Sequence, residues 1–206
     1  LSCNLAEIMI IFIASLLNWW PTPLTAIQLL WLNLLTDGAP ALALGLEKGD
    51  PDIMERAPRP AKEPIVNREM RFGMVVQTVV ITGVVLIAYQ IGLAWGGATL
   101  AQTLAFVTLS SSELLRAYTS RSERYSLFAV GVFSNKYMQY AVAASLALLL
   151  LVVYVPLLQP IFNTTSLGIR DWAAILPLIV LPSVAAELTK WVIRRATSPA
   201  ARAATV

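Results

Sequence analysis

Three carboxylates, Glu7, Asp37 and Glu113, lie well inside long apolar runs. A charged side chain at the centre of a bilayer costs about 2.5–3.5 kcal/mol unless it is paired, protonated or bound to a cation. No Lys or Arg lies at the same depth; Arg116, three residues past Glu113, comes nearest. Neutral oxygen donors accompany the acids. Asn4 and Glu7 are spaced i, i+3, and Asn33, Thr36 and Asp37 are spaced i, i+3, i+4, so each set shares a helix face. Asn4, Asn33 and Thr36 offer one oxygen each and the carboxylates two each, nine hard oxygens with no nitrogen ligand. Calcium takes about 6–8 oxygens, so this set encloses one calcium and a second needs oxygens from elsewhere. The run that carries Asp37 also carries Gly38 and Pro40. Pro40 lacks the N–H that the Thr36 carbonyl would use, and Gly38 unwinds cheaply. Irregular backbone at this depth is tolerated only inside protein or beside a cavity.

Blander readings exist for each residue taken alone. Asn4, Asn33 and Thr36 suit interhelical hydrogen bonds, and Glu113 suits an ion pair with Arg116. Convergence of all six on one layer favours a cation site. Glu187, with Lys190 a turn on, is read as a surface pair. No residue is assigned to catalysis or to a bound cofactor.

The elements that must position this set are membrane helices. Of 206 residues, 57% are hydrophobic and 13% charged, and mean hydropathy is +0.69, too apolar for a soluble domain of this size. The expected fold is an all-α, multi-pass bundle in the lipid bilayer. It has six spans near 2–20, 24–46, 73–95, 99–119, 137–158 and 171–193, each close to the ~20 residues a bilayer needs, and the second is broken near Asp37–Pro40. Pro21-Thr22-Pro23 and Gly96-Gly97 separate spans, and Trp19, Trp20, Trp95, Tyr154 and Trp172 stand at span ends, where amphipathic rings favour the interface. Gly92 and Gly96 form one short G-x-x-x-G, compatible with close helix packing. Counting from the turn near Thr22, Glu7 lies fifteen residues before and Asp37 fifteen after, and Glu113 lies fourteen from the outer end of its span. At ~1.5 Å per residue the three reach one depth.

Six spans place the basic residues of 47–72, 116–136 and the C-terminal end on one side, leaving Arg170 on the other; the positive-inside rule then makes both ends cytoplasmic. This topology also accounts for the net charge of +3, so nucleic acid is not an expected partner. The Pro-rich cytoplasmic loop 47–72 suits either a docking surface or a solvated linker, and the Ala-rich tail 196–206 is expected to be disordered. The chain starts at Leu1 with no charged n-region, which makes a signal peptide a poor reading and suggests a fragment of a longer protein. Cys3 is the single cysteine, which precludes an internal disulfide and argues against a cysteine-built metal site.

The segment from Gln28 to Gly45, with Asn33, Thr36, Asp37, Gly38 and Pro40, resembles the sixth membrane helix of P-type calcium ATPases. Leu1–Glu7 resembles the ion-site half of the fifth helix. Asp50-Pro-Asp-Ile-Met54 through Ile65 is similar to the loop between the sixth and seventh helices, and Thr103–Leu114 is similar to the eighth helix around its acidic ligand. The resemblance covers the whole chain, more loosely beyond residue 72, and is nearest to the sarcoplasmic-reticulum-type pumps. It implies that Asn4, Glu7, Thr36, Asp37 and Glu113 are ligands of a first calcium site. Asn33 and Asp37 would contribute to a second, favouring two ions, with manganese as an alternative cargo. It further implies that the pump's N-terminal half is the chain's partner. That half would hold the first four helices, the helix-four residues completing the second site, and the cytoplasmic domains that use ATP and magnesium. The functional expectation is the ion-translocating part of an ATP-driven calcium pump with proton counter-transport, in a bacterial plasma membrane. A secondary cation/proton exchanger and a non-catalytic membrane subunit are the rivals, and both lack an upstream phosphorylation motif.

Overall fold

The computed structural model describes residues 1–19, 21–50, 52–55, 64, 66–122 and 125–196. Trp20, three of the six basic residues and three of the four prolines of the loop 47–72, Arg124 and the tail 197–206 lie outside the described residues. Among the described residues the fold is all-helical, with no strand. The elements are α1 (Ser2–Leu16), α2 (Ala26–Trp31), a π-helical turn (Leu32–Thr36), α3 (Gly38–Leu44), α4 (Arg68–Thr119), α5 (Leu127–Val130), α6 (Lys136–Tyr154), α7 (Gln159–Phe162) and α8 (Ile169–Ala196). Four helical stretches are long and apolar enough to cross a membrane: Ala26–Leu44, Met70–Thr119, Lys136–Tyr154 and Ile169–Arg195; α1 is a shorter apolar helix.

The first helix ends at Leu16, because Asn18 takes a left-handed conformation with φ 53° that an α-helix cannot continue through. Thr25 and Gln28 then form a capping box. The Thr25 hydroxyl accepts from Gln28 N–H at 3.3 Å, and Gln28 Oε1 accepts from Thr25 N–H at 2.9 Å. The break expected near Asp37–Pro40 takes a different form from the one anticipated. Gly38 is not unwound: Asp37 has φ −89° and ψ −42°, and α3 begins at Gly38. The irregularity is the π turn just before it, in which Asp37 N–H donates to the Leu32 carbonyl, five residues back, at 3.0 Å. Pro40 still removes one donor, but the chain absorbs the defect as a single wide turn, the commonest form of π helix. Ser145 of α6 donates to the Leu35 carbonyl within that turn at 2.9 Å.

α4 is a hairpin rather than a rod. Gly97 has φ 80° and ψ −165°, a conformation open to glycine, and the chain reverses there. The limbs then approach so closely that a Cβ on Gly92 would stand 2.3 Å from Ala101 Cα. In a continuous helix those residues would be ~13 Å apart. Every residue of 101–114, on the returning limb, is buried, which makes this limb the centre of the bundle. The outgoing limb meets α1, where Thr78 donates to the Ser2 carbonyl at 3.5 Å, and α8 packs extensively along α4. Helix α4 begins at Arg68, N-capped by Asn67, so residues 68–72 are helical rather than loop.

Aromatic contacts gather at the end carrying Gly97. Trp19 stacks on Tyr89 at 5.9 Å, and the Arg170 guanidinium lies 3.8 Å from the Trp95 ring centroid. Trp172 donates to the Tyr154 hydroxyl at 2.7 Å. The opposite end is held by ions. Arg121, 1% exposed at its side chain, forms a two-pronged pair with Glu47, both contacts at 2.8 Å. Asn135 adds bonds to Glu47 and to the Ala43 carbonyl, at 2.8 and 3.0 Å. The Arg121 guanidinium holds the Glu47 carboxyl below the ordinary glutamate range. Glu187 and Lys190 pair at 2.9 Å, but Lys190 also donates to the Thr119 carbonyl at 2.5 Å, so it staples α8 to the end of α4 rather than standing free on the surface.

Candidate cation site

Three backbone segments supply the six residues. α1 carries Asn4 and Glu7, the π turn and its cap carry Asn33, Thr36 and Asp37, and the buried limb of α4 carries Glu113. The π turn is the hub. Asn33 Nδ2 donates to Glu7 Oε2 at 2.9 Å and its Oδ1 accepts from Asn4 Nδ2 at 3.2 Å, which joins the turn to α1. Three residues on, the Thr36 hydroxyl lies 3.4 Å from Glu113 Oε2, which joins it to α4; its stronger bond is to the Leu32 carbonyl at 2.7 Å. Asp37 and Glu113 place carboxylate oxygens within 4.8 Å of each other and of Cys3 Sγ. The six residues therefore fall in two side-chain groups, Asn4–Glu7–Asn33 and Thr36–Asp37–Glu113, which the backbone of the π turn joins.

Burial within the cluster is uneven. Glu7, Thr36 and Glu113 are 8%, 2% and 4% exposed, whereas Asp37 is half-buried and Asn4 and Asn33 are exposed. The exposed edge is thus formed by neutral amides and the deep wall by acids. Glu113 has one oxygen, Oε1, that is buried and has no hydrogen-bond partner. The alternative pairing of Glu113 with Arg116 does not form; the Arg116 Nη1 lies 3.7 Å from Cys3 Sγ, and its buried Nε has no partner. An acid cluster with an unsatisfied buried oxygen and no cation paired to it is chemically suited to receiving a positive charge.

Two participants escaped the sequence. A lone cysteine argues against a cysteine-built metal site, yet Cys3 sits against Asp37 and Glu113; its position one residue before Asn4 is the available signal. Ser145 supports the π turn from α6, 110 residues away, and nothing local marks it.

Residues 21–192 match the family described as "Cation transporting ATPase, C-terminus". The chain is 38% identical over 207 residues to "Calcium-transporting ATPase 1" of Bacillus cereus, covering 92% of this chain and 23% of that protein. It is 38% identical over 185 residues to "Calcium-transporting ATPase" of Bacillus subtilis, covering 89% and 21%. It is also 35% identical over 195 residues to human "Calcium-transporting ATPase type 2C member 1", covering 94% and 21%. The chain thus spans about a fifth of the length of the relatives it matches. With its helical bundle, its apolar spans and this similarity along nearly its whole length, the chain belongs to the family of C-terminal membrane regions of P-type cation-transporting ATPases.

Proposed function

We propose that this chain forms the ion-binding and translocating part of an ATP-driven calcium pump, with Asn4, Glu7, Asn33, Thr36, Asp37 and Glu113 as the cage for the cargo. The observation that carries this reading is that one π turn bonds Glu7 through Asn33 and Glu113 through Thr36 and ends at Asp37, whose carboxylate lies within 4.8 Å of that of Glu113, with a buried Glu113 oxygen left unpartnered. The donor set is all oxygen and rich in carboxylate, the chemistry calcium prefers; manganese takes similar ligands. Asp37, at the junction between the π turn and α3, would bridge two ions, as the resemblance to calcium pumps implies.

The same reading gives the bundle six crossings. The α4 hairpin supplies two, α1 is the fifteen-residue core of another, and Ala26–Leu44, α6 and α8 supply the rest. The ionic end, with Glu47, Arg121 and Lys190, is cytoplasmic, and the aromatic end faces outward. In the full-length pump, phosphorylation of an aspartate in another domain by ATP and magnesium drives movement of these helices. The cage then opens outward, releases its ions and takes up protons on the emptied carboxylates. Burial of like charges without a cation is unfavourable, which makes proton counter-transport the natural return step.

The decisive experiment is Asp37→Asn in the full-length pump. Calcium-dependent phosphorylation by ATP is expected to disappear, with calcium affinity at least tenfold weaker in equilibrium binding. Unchanged calcium affinity would refute the assignment.

A further inference from the structure

Cys3 has no part in the cage just described, yet its sulfur lies beside two of its acids. One ligand atom each from Cys3, Asp37 and Glu113 lie within 4.8 Å of one another. A second, independent observation points to a ligand at the same place. Glu113 is only 4% exposed, and its Oε1 is buried with no hydrogen-bond partner. A buried acceptor in that condition is costly until something positive or protic reaches it. The Arg116 guanidinium donates to the same sulfur, with Nη1 at 3.7 Å.

We propose that Cys3, Asp37 and Glu113 form a mixed sulfur–oxygen site for a thiophilic divalent cation of the zinc and cadmium class. Thiolate selects soft or borderline metals, whereas calcium is held by oxygen alone. The sulfur therefore distinguishes this site from the calcium cage with which it shares two carboxylates. On binding, the metal–sulfur bond replaces the S–H bond and the thiol proton leaves to solvent. Three anionic ligands around a divalent ion leave one negative charge, and Arg116 is placed to offset it. Zinc–sulfur and zinc–oxygen bonds are about 2.3 and 2.0–2.2 Å. The three ligand atoms already lie within 4.8 Å of one another, close to the separation that such bonds require. A cation held here occupies Asp37 and Glu113, so it competes with calcium.

This proposal rests on the calcium reading only through those two shared carboxylates, and one set of measurements separates them. Cadmium is titrated into the full-length pump in thiol-free buffer. The ultraviolet thiolate-to-cadmium absorption is read as the difference between wild type and Cys3→Ser, so that thiols elsewhere cancel. Calcium affinity is measured on the same samples. The expected result is a cadmium difference band and a cadmium-to-calcium affinity ratio at least tenfold lower in Cys3→Ser; Cys3→Ala should lower it similarly. No difference band, or a ratio unchanged in both variants, overturns the proposal. Asp37→Asn supplies the other arm. If it spares calcium binding while Cys3→Ser lowers the ratio, the calcium cage fails and the thiophilic site stands. If it abolishes calcium binding while the ratio is indifferent to Cys3, the cage stands and the thiophilic site fails.

Discussion

Glu113 holds one oxygen against Thr36 and keeps the other without a partner, in a helical limb buried on every side. Glu113→Gln removes a charge that only a cation would compensate, and replaces one acceptor by an NH2 group that cannot ligate a metal. The variant is expected to lose one bound calcium, or at least tenfold in affinity, by equilibrium binding, while its thermal midpoint without calcium holds or rises. Full calcium stoichiometry and affinity in Glu113→Gln would remove this residue from the cage. That Glu7, Asp37 and Glu113 gather about one turn was legible in the sequence, because rise per residue and the position of the bend near Thr22 bring them to one level of the bundle. The involvement of Cys3 was not. Cys3 stands i, i+4 from Glu7 and so shares its helix face, but a single cysteine among oxygen donors reads as a small apolar residue rather than as part of their set.

Among the elements, the α4 hairpin depends on small residues at two places. Gly97 supplies a backbone conformation with φ 80°, and Gly92 supplies the space where the limbs meet. The atoms facing Gly92 are backbone atoms of Ala101 at 2.3 and 2.6 Å, which cannot rotate aside as a side chain would. Gly92→Val is expected to destabilise the chain by about 3 kcal/mol, the upper part of the usual range for overpacking. Gly83→Ala, where an added Cβ meets nothing within 4 Å, is expected to have little effect. Thermal unfolding of both variants in detergent checks the pair, and equal midpoints would show that the limbs do not pack as described. The Gly96-Gly97 break was visible in the sequence because glycine pairs interrupt apolar runs. The π turn was not. Pro40 and Gly38 announce a defect in the helix, but whether it becomes an unwound stretch or a single wide turn is decided by packing, including the hydroxyl of Ser145 on a distant helix.

For the molecule as a whole, hydropathy located the apolar runs well, and the family pattern in residues 28–45 carried the functional reading. Contacts between distant loops, such as Arg121 with Glu47, lie 74 residues apart and leave no local trace. The six-crossing arrangement makes a labelling prediction. With Cys3 replaced by Ser and single cysteines placed at Thr99, Phe128 and Leu157, a membrane-impermeant maleimide is expected to reach positions 99 and 157 from outside. Position 128 is expected to be labelled from the cytoplasmic face alone. Phe128 and Leu157 are 83% and 79% exposed, so access is limited by the membrane rather than by packing. Labelling of all three from one face would exclude the arrangement.

The two ends of the bundle are fastened by different chemistry. Toward the aromatic end, Gln28 reaches the Phe162 carbonyl at 2.9 Å, Gln102 reaches that of Thr22 at 2.7 Å, and Asn163 donates to Gln102. None of these amides titrates, so mild acid or added salt leaves those contacts unaltered. At the other end Glu47 is a titrating partner, held below its ordinary range by Arg121. The stabilisation it contributes is complete above that range and fades as falling pH protonates it. Acid stress therefore loosens the end clasped by Glu47 and Arg121 first, and spares the end held together by amides.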